Sequence, residues 1–190
     1  MQRSHTDSHD HHELSPSGWV TRFGTRIPAS AQILDVACGA GRHSNWFADR
    51  GHRVHAVDRE KSAKLSARIA FKHADIELNE WPFAGQQFDV VVVTNYLFRP
   101  LLKTLVESVA PNGWLIYETF AAGNEKFGRP SRPDFLLLPG ELLDVVQGRL
   151  QVVAYEEGYV EIPKAAMVQR IAARNATDYE WGRYMEVSLG

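Results

Sequence analysis

The chain has 190 residues, 44% of them hydrophobic, 23% charged and 11% aromatic, the profile of an ordinary folded protein. That length provides one core and little for a second. The apolar fraction excludes disorder for most of the chain, and runs such as Val90–Val93 fall far short of the ~20 residues that a bilayer crossing requires. The net charge of -2, from 21 basic and 23 acidic residues, shows no basic excess and argues against a nucleic-acid partner. Cys38 is the one cysteine, so an internal disulfide and an all-cysteine metal site are both excluded, and no metal is expected. No apolar run follows the N-terminal charges, so no signal peptide is read and a cytoplasmic location is expected.

Residues 1–17 are polar, lack hydrophobic period and hold His5, His9, His11 and His12. Imidazoles so close together can chelate a metal. The simpler reading is a disordered His-rich tail, with one domain over residues 18–190. Trp19, Val20 and Phe23 predict the apolar face of a short helix. Gln32–Val36 reads as a buried strand that runs into the glycine turn Cys38-Gly39-Ala40-Gly41. Ser44–Arg50 is predicted helical and ends at Gly51, a good C-cap residue. Val54–Val57 is a second strand ending on Asp58. Glu60–Ile69 is predicted helical, with Leu65 and Ile69 four apart, and Phe71–Ala74 is a third strand ending on Asp75.

Phe88–Thr94 is the strongest strand, apolar on both faces as a central parallel strand must be. Leu101–Val109 is the next predicted helix, stopped by Pro111-Asn112-Gly113, and Trp114–Thr119 a fifth strand. Residues 120–139 carry Gly128, Pro130 and Pro133 without clear period and read as a long loop. Gly140–Val146 is predicted helical, Leu150–Tyr155 a sixth strand and Met167–Ala173 a seventh; residues 174–190 have no reading. Strand and helix alternate five times, which calls for an α/β fold with a doubly wound, mostly parallel sheet. Only about a dozen residues join the last two strands, which makes the last of the seven antiparallel. Such sheets bind ligands beyond the carboxyl ends of their strands, where Asp58, Asp75, Asn95 and Glu118 should converge.

The stretch ILDVACGAGRHS, residues 33–44, carries the functional signal. Two glycines at i and i+2 between strand and helix let a ligand approach backbone closely. A full dinucleotide fingerprint needs glycine or alanine where this chain has Ser44. Asp35, just before the turn, would repel a pyrophosphate and favour a cationic group such as the ammonium of S-adenosyl-L-methionine. Asp58, 17 residues beyond Gly41, is placed to accept from a ribose diol, and Asp75 from an adenine amino group.

LDVACGAG resembles motif I of the class I S-adenosylmethionine-dependent methyltransferases, and VHAVDRE, HADIE and FDVVVVTNY match the three motifs that follow, a likeness covering roughly residues 18–175. It implies a Rossmann-like methyltransferase fold with S-adenosyl-L-methionine as cofactor. By that likeness Gly39 and Gly41 face the methionyl part, Asp58 the ribose hydroxyls, Asp75 with Ile76 the adenine, and Asn95 the methyl group. Ala37 stands where the family most often has its first glycine. CGAGRHS and ETFAAGNEKFGRP further resemble the small bacterial tellurite-resistance and thiopurine-type methyltransferases.

Methyl transfer needs a general base only if the acceptor must lose a proton. The candidates are His43, Tyr96 and Glu118. Loops as long as residues 120–139 are usually lids or binding segments. This one carries Arg129 and Arg132 near two prolines, and guanidinium groups suit a carboxylate or another oxyanion. The expected function is methyl transfer to a small polar or anionic acceptor closed over by this loop. In the alternative, both arginines are solvated or pair with Glu125 and Asp134. Two other classes stay open: a nicotinamide-dependent oxidoreductase and a non-catalytic module that binds an adenosyl ligand.

Overall fold

The computed structural model describes residues 15–62 and 64–176. The four tail histidines, Ala63 and residues 177–190 lie outside them. Seven strands form one sheet: Gln32–Val36 (β1), Arg53–Asp58 (β2), Ala70–His73 (β3), Phe88–Thr94 (β4), Val109–Phe120 (β5), Gln151–Val160 (β6) and Ala166–Arg174 (β7). Their order across the sheet is β3-β2-β1-β4-β5-β7-β6. The first five are parallel, and β7 inserts between β5 and β6, antiparallel to both. This is the expected α/β class, with the antiparallel last strand in place.

Strand β4 shows why the sheet is covered on both faces. Val90 and Val92 belong to one buried cluster with Trp19, Val20 and Phe23 of helix α1 (Gly18–Gly24) and Phe47 of α2 (Arg42–Asp49). Val91 and Val93 belong to the other, with Leu105 of α3 (Leu102–Glu107) and Leu142 of α4 (Glu141–Val146). All four valines are fully buried, and alternate side chains of a strand point to opposite faces. An apolar run in a central parallel strand therefore feeds two cores at once. The chain's winding reverses between β1 and β4, which is where a doubly wound sheet opens a crevice at its carboxyl edge.

Three expectations are corrected. The described residues of Glu60–Ile69 hold turns and no regular helix. The Ser62 and Ser66 hydroxyls accept from the amides of Lys64 and Arg68, each two residues on, and such local bonds compete with helix formation. Asn45 fixes the segment instead, donating to the Lys64 carbonyl and accepting from the Ser66 amide, each at 2.9 Å. Ile69 is still buried. The helix expected over Leu101–Val109 is a short 3-10 turn, Arg99–Leu101, followed by α3, and Val109 already pairs with Phe88 in the sheet. Pro111–Gly113 then bulges within β5, because Trp114 pairs with Val90. Third, Ser15–Ser17 is not part of a free tail: Ser17 caps α1, its hydroxyl accepting from the Trp19 amide.

The 120–139 connection contains two 3-10 turns, Asn124–Lys126 and Pro133–Phe135. Arg99 pins it. Its guanidinium donates to both carboxylate oxygens of Glu141 at 2.7 and 2.9 Å, and to the Asp134 and Leu136 carbonyls at 3.0 and 2.8 Å. No helix among the described residues is long and apolar enough to cross a membrane.

Candidate active site

The turn after β1 is held in a shape that favours glycine. Ala37, Gly39 and Gly41 all have positive φ, at 51°, 53° and 78°; for Ala37 that region costs about 1 kcal/mol. A Cβ on Gly41 would collide with Leu65, whereas one on Gly39 would meet nothing. Gly39 therefore presents bare backbone on an open side. Asp58, at the end of β2, orders the turn: its Oδ2 accepts from the Gly39 amide at 2.9 Å and its Oδ1 from the Glu60 amide at 3.0 Å. A carboxylate offers about four lone-pair sites, so both oxygens keep room for a ligand diol.

Asp35 is 1% exposed. Its Oδ2 accepts from the Ser44 amide at 3.0 Å and the Ser44 hydroxyl at 2.5 Å. Ser44 is the third residue of α2, where amides have no partner within the helix, and the N-cap residue Gly41 has no side chain to supply one. Asp35 is thus a remote cap for α2. Its Oδ1 is buried and meets no donor among the described residues. Burial pushes the carboxyl up from 3.8 to about 6.

Beyond β3, Asp75 caps the next turn, its Oδ1 accepting from the Glu77 and Leu78 amides at 3.0 and 3.2 Å, and Ile76 is buried beside it. After β4, Asn95 has φ 54°, and its amide donates to the Glu118 carbonyl at 2.9 Å. Tyr96 follows, its backbone carbonyl accepting from the Tyr117 hydroxyl at 2.9 Å. The Tyr96 phenol titrates well above its ordinary range, first through burial and then through the nearby carboxylates of Glu77, Asp75 and Asp58. The acids that end β2 and β3 thus face one region beside the glycine turn.

The three base candidates differ sharply. His43 is 1% exposed, on α2. Its Nε2 accepts from the Ser17 amide at 3.1 Å, which puts the proton on Nδ1, 3.3 Å from the Thr94 hydroxyl. Burial lowers its pKa to about 3. With both nitrogens engaged inside the protein, His43 pins the N-terminal segment to the sheet. The tyrosine keeps its proton. Glu118, 8% exposed on β5, pairs with Arg170 of β7 at 2.5 Å, and it lines a cavity of about 610 Å³ at the carboxyl edge.

That cavity is walled by Ser15–Trp19, by Asn95, by Phe120, Phe127 and Arg129 of the long loop, and by Ile162–Ala166 of the β6–β7 turn. Arg129 is in it. Arg132 is not among its lining residues: it is exposed, paired with Asp134 at 2.9 Å and laid over Phe135. The sequence reading missed Arg170, Arg42 and Lys164, which also line the cavity. Only Arg170 left a trace, as a charge in the middle of a mostly apolar strand.

Residues 33–113 match the family model described as a methyltransferase domain. Over that stretch the chain is similar to the methyltransferase domain family, and its fold is shared with solved methyltransferases. It is 30% identical over 107 residues to a malonyl-[acyl-carrier protein] O-methyltransferase of Enterobacter lignolyticus, a match covering 51% of this chain and 43% of that one. The chain thus spans less than half the length of the curated relatives it matches. Among solved structures, TehB from Haemophilus influenzae superposes with a TM-score of 0.70 at 20% identity, covering 84% of this chain and 62% of that one. The Burkholderia thailandensis 1,6-didemethyltoxoflavin-N1-methyltransferase, solved with S-adenosylhomocysteine bound, gives a TM-score of 0.60 at 19% identity, covering 90% of this chain and 80% of that one. The cofactor that this likeness implies is S-adenosyl-L-methionine. The residues present fit it: a buried acceptor without a donor on Asp35, bare backbone at Gly39 and a carboxylate rim at Asp58 and Asp75.

Proposed function

We propose that the chain is an S-adenosyl-L-methionine-dependent methyltransferase acting on a small polar or anionic acceptor. The observation that carries this reading is the unpartnered, buried Oδ1 of Asp35 beside an open glycine turn. A cationic ligand group satisfies that oxygen, whereas a pyrophosphate would be repelled by it. This favours the methyltransferase over a nicotinamide-dependent oxidoreductase. When bound, the cofactor supplies an activated methyl group on a sulfonium.

The chain's residues hold and orient the reactants. Asp35 takes the ammonium, Ala37, Gly39 and Gly41 the methionyl backbone, Asp58 the ribose, Asp75 and Ile76 the adenine, and Asn95 stands by the methyl. The adjoining cavity keeps the acceptor in position and sheds water, which is where most of the rate enhancement of such a displacement originates. Glu118, at the cavity wall, is the residue to receive an acceptor proton, since His43 has no free nitrogen and Tyr96 retains its own. Arg129 supplies positive charge at the mouth.

Thermal shift with S-adenosylmethionine, S-adenosylhomocysteine and NADH side by side tests the reading. Stabilisation by the two adenosyl ligands and not by NADH is expected; stabilisation by NADH alone refutes it. Release of S-adenosylhomocysteine with an acceptor panel of oxyanions, thiols and small phenols then separates an enzyme from a binding module.

A further inference from the structure

The charges around the cavity differ in whether an opposite charge meets them. At its floor the buried Glu118 pairs with Arg170 at 2.5 Å; Arg170 in turn reaches the exposed Glu156 at 3.4 Å, and Glu156 the exposed Arg22 at 3.4 Å. Both lining acids and two of the five lining cations are consumed in this chain. Arg42 donates to the Ser15 carbonyl. Arg129 and Lys164 remain exposed at the mouth, with no carboxylate within ion-pair distance among the described residues.

These two cations come from different segments that are built to meet. Asn124, 2% exposed, donates from Nδ2 to the Pro130 carbonyl at 2.9 Å and accepts at Oδ1 from the Met167 amide at 3.1 Å, tying the long loop to β7. Phe127 packs on Tyr159 of β6 with ring centroids 5.1 Å apart. The Lys164 ammonium lies 3.8 Å from where a Cβ on Gly128 would sit, next to Arg129. Two cations that line one mouth with no acid paired to either make the potential there positive, which attracts an anion. Between mouth and floor the wall is apolar, with Trp19, Phe120, Val160 and Val168.

We infer that the acceptor is a small organic anion that also carries a hydroxyl or amine: its anionic group meets Arg129 and Lys164 at the mouth, its hydrogen-bond donor meets Glu118 at the floor, and its apolar body fills the space between. The inference rests on the methyltransferase reading above, and it narrows the acceptor to a molecule with both groups. A guanidinium and an ammonium lining one mouth suit a carboxylate or a phosphate alike.

Matched probes test it by calorimetry on the full chain with S-adenosylhomocysteine bound: 4-hydroxybenzoate, which has both groups, 4-hydroxyphenyl phosphate as the phosphate counterpart, 4-hydroxybenzamide, which lacks the charge, and benzoate, which lacks the donor. One of the two hydroxy-anions should bind at least about 10-fold tighter than the amide, the scale of one charge-assisted contact, and the tighter of the two identifies the anionic group. In an Arg129→Ala, Lys164→Ala double variant that preference should vanish with S-adenosylhomocysteine affinity kept. In Glu118→Gln the preference for 4-hydroxybenzoate over benzoate should vanish; should that variant fail to fold, the same comparison on the parent decides. Equal binding of anion and amide, an undiminished preference in the double variant, or no binding of any probe to protein that holds S-adenosylhomocysteine overturns the inference and leaves the methyltransferase reading standing. Failure to bind S-adenosylhomocysteine itself overturns both.

Discussion

Asp35→Asn separates the helix cap that the carboxylate makes from the ammonium contact that we propose for it. In the unfolded chain the carboxyl titrates near 3.8; in the fold it holds its proton up to about 6, because burial disfavours the charge more than the Ser44 bonds offset it. The native state therefore binds this proton more tightly than the unfolded chain. Stability falls as pH rises from 3.8 to about 6 and stays lower beyond. At 1.36 kcal/mol per pH unit the ionised group costs the fold about 3 kcal/mol at neutral pH. Asparagine keeps an acceptor for the Ser44 amide and removes the charge, so the variant should gain stability relative to the parent as pH rises through 6, by up to about 3 kcal/mol. The same substitution places an N–H where the unpartnered Oδ1 lies, so a donor would face the ligand's ammonium. Affinity for S-adenosylmethionine should fall by about 1.5–3 kcal/mol, roughly 10- to 150-fold, and far less for an analogue without the amino group. Thermal melts at pH 4.5 and 8, with calorimetry for both ligands, give the readouts. A stability difference that does not change with pH, together with equal losses for the two ligands, would refute the reasoning and leave Asp35 as a helix cap only.

Asp58→Ala frees the Gly39 and Glu60 amides and removes the ribose acceptor, so S-adenosylmethionine affinity should drop by about 1.5–3 kcal/mol; unchanged calorimetric affinity in a folded variant takes Asp58 out of the site. His43 is buried neutral with its pKa lowered to about 3, so its contribution to stability is whole above 6.5 and is lost as pH falls below it, at up to about 1.36 kcal/mol per pH unit. His43→Gln should flatten that acid limb of the melting curve and leave the pH profile of turnover unshifted, whereas a shifted kcat/KM profile would restore it as a base. Arg132→Ala should change neither acceptor KM nor cofactor affinity, because its charge is spent on Asp134 outside the cavity; a raised acceptor KM would bring that side of the loop into the site.

What could be read in the chain beforehand was whatever its neighbours in sequence decide. Four valines in a row can only be a strand covered on both faces, and β4 is that strand. Acids at the ends of β2 and β3 fall at the carboxyl edge because side chains alternate and parallel strands share a direction. The helix expected at Glu60–Ile69 had the right apolar spacing, but period says nothing of the two serine hydroxyls that offer the backbone other partners, or of Asn45, which fastens the segment from outside. His43 looked available because its partners, Ser17 and Thr94, lie 26 and 51 residues away. Arg129 and Arg132 looked alike three residues apart, yet Arg132 has an acid two positions on and Arg129 lines a cavity together with a lysine from the β6–β7 turn. A binding residue differs from a solvated one by what the rest of the fold sets opposite it. That is why the proposed cofactor side, built from one turn and the strand ends beside it, could be read locally, while the proposed acceptor side, assembled from the N-terminal segment, a loop and a hairpin, became visible only in three dimensions.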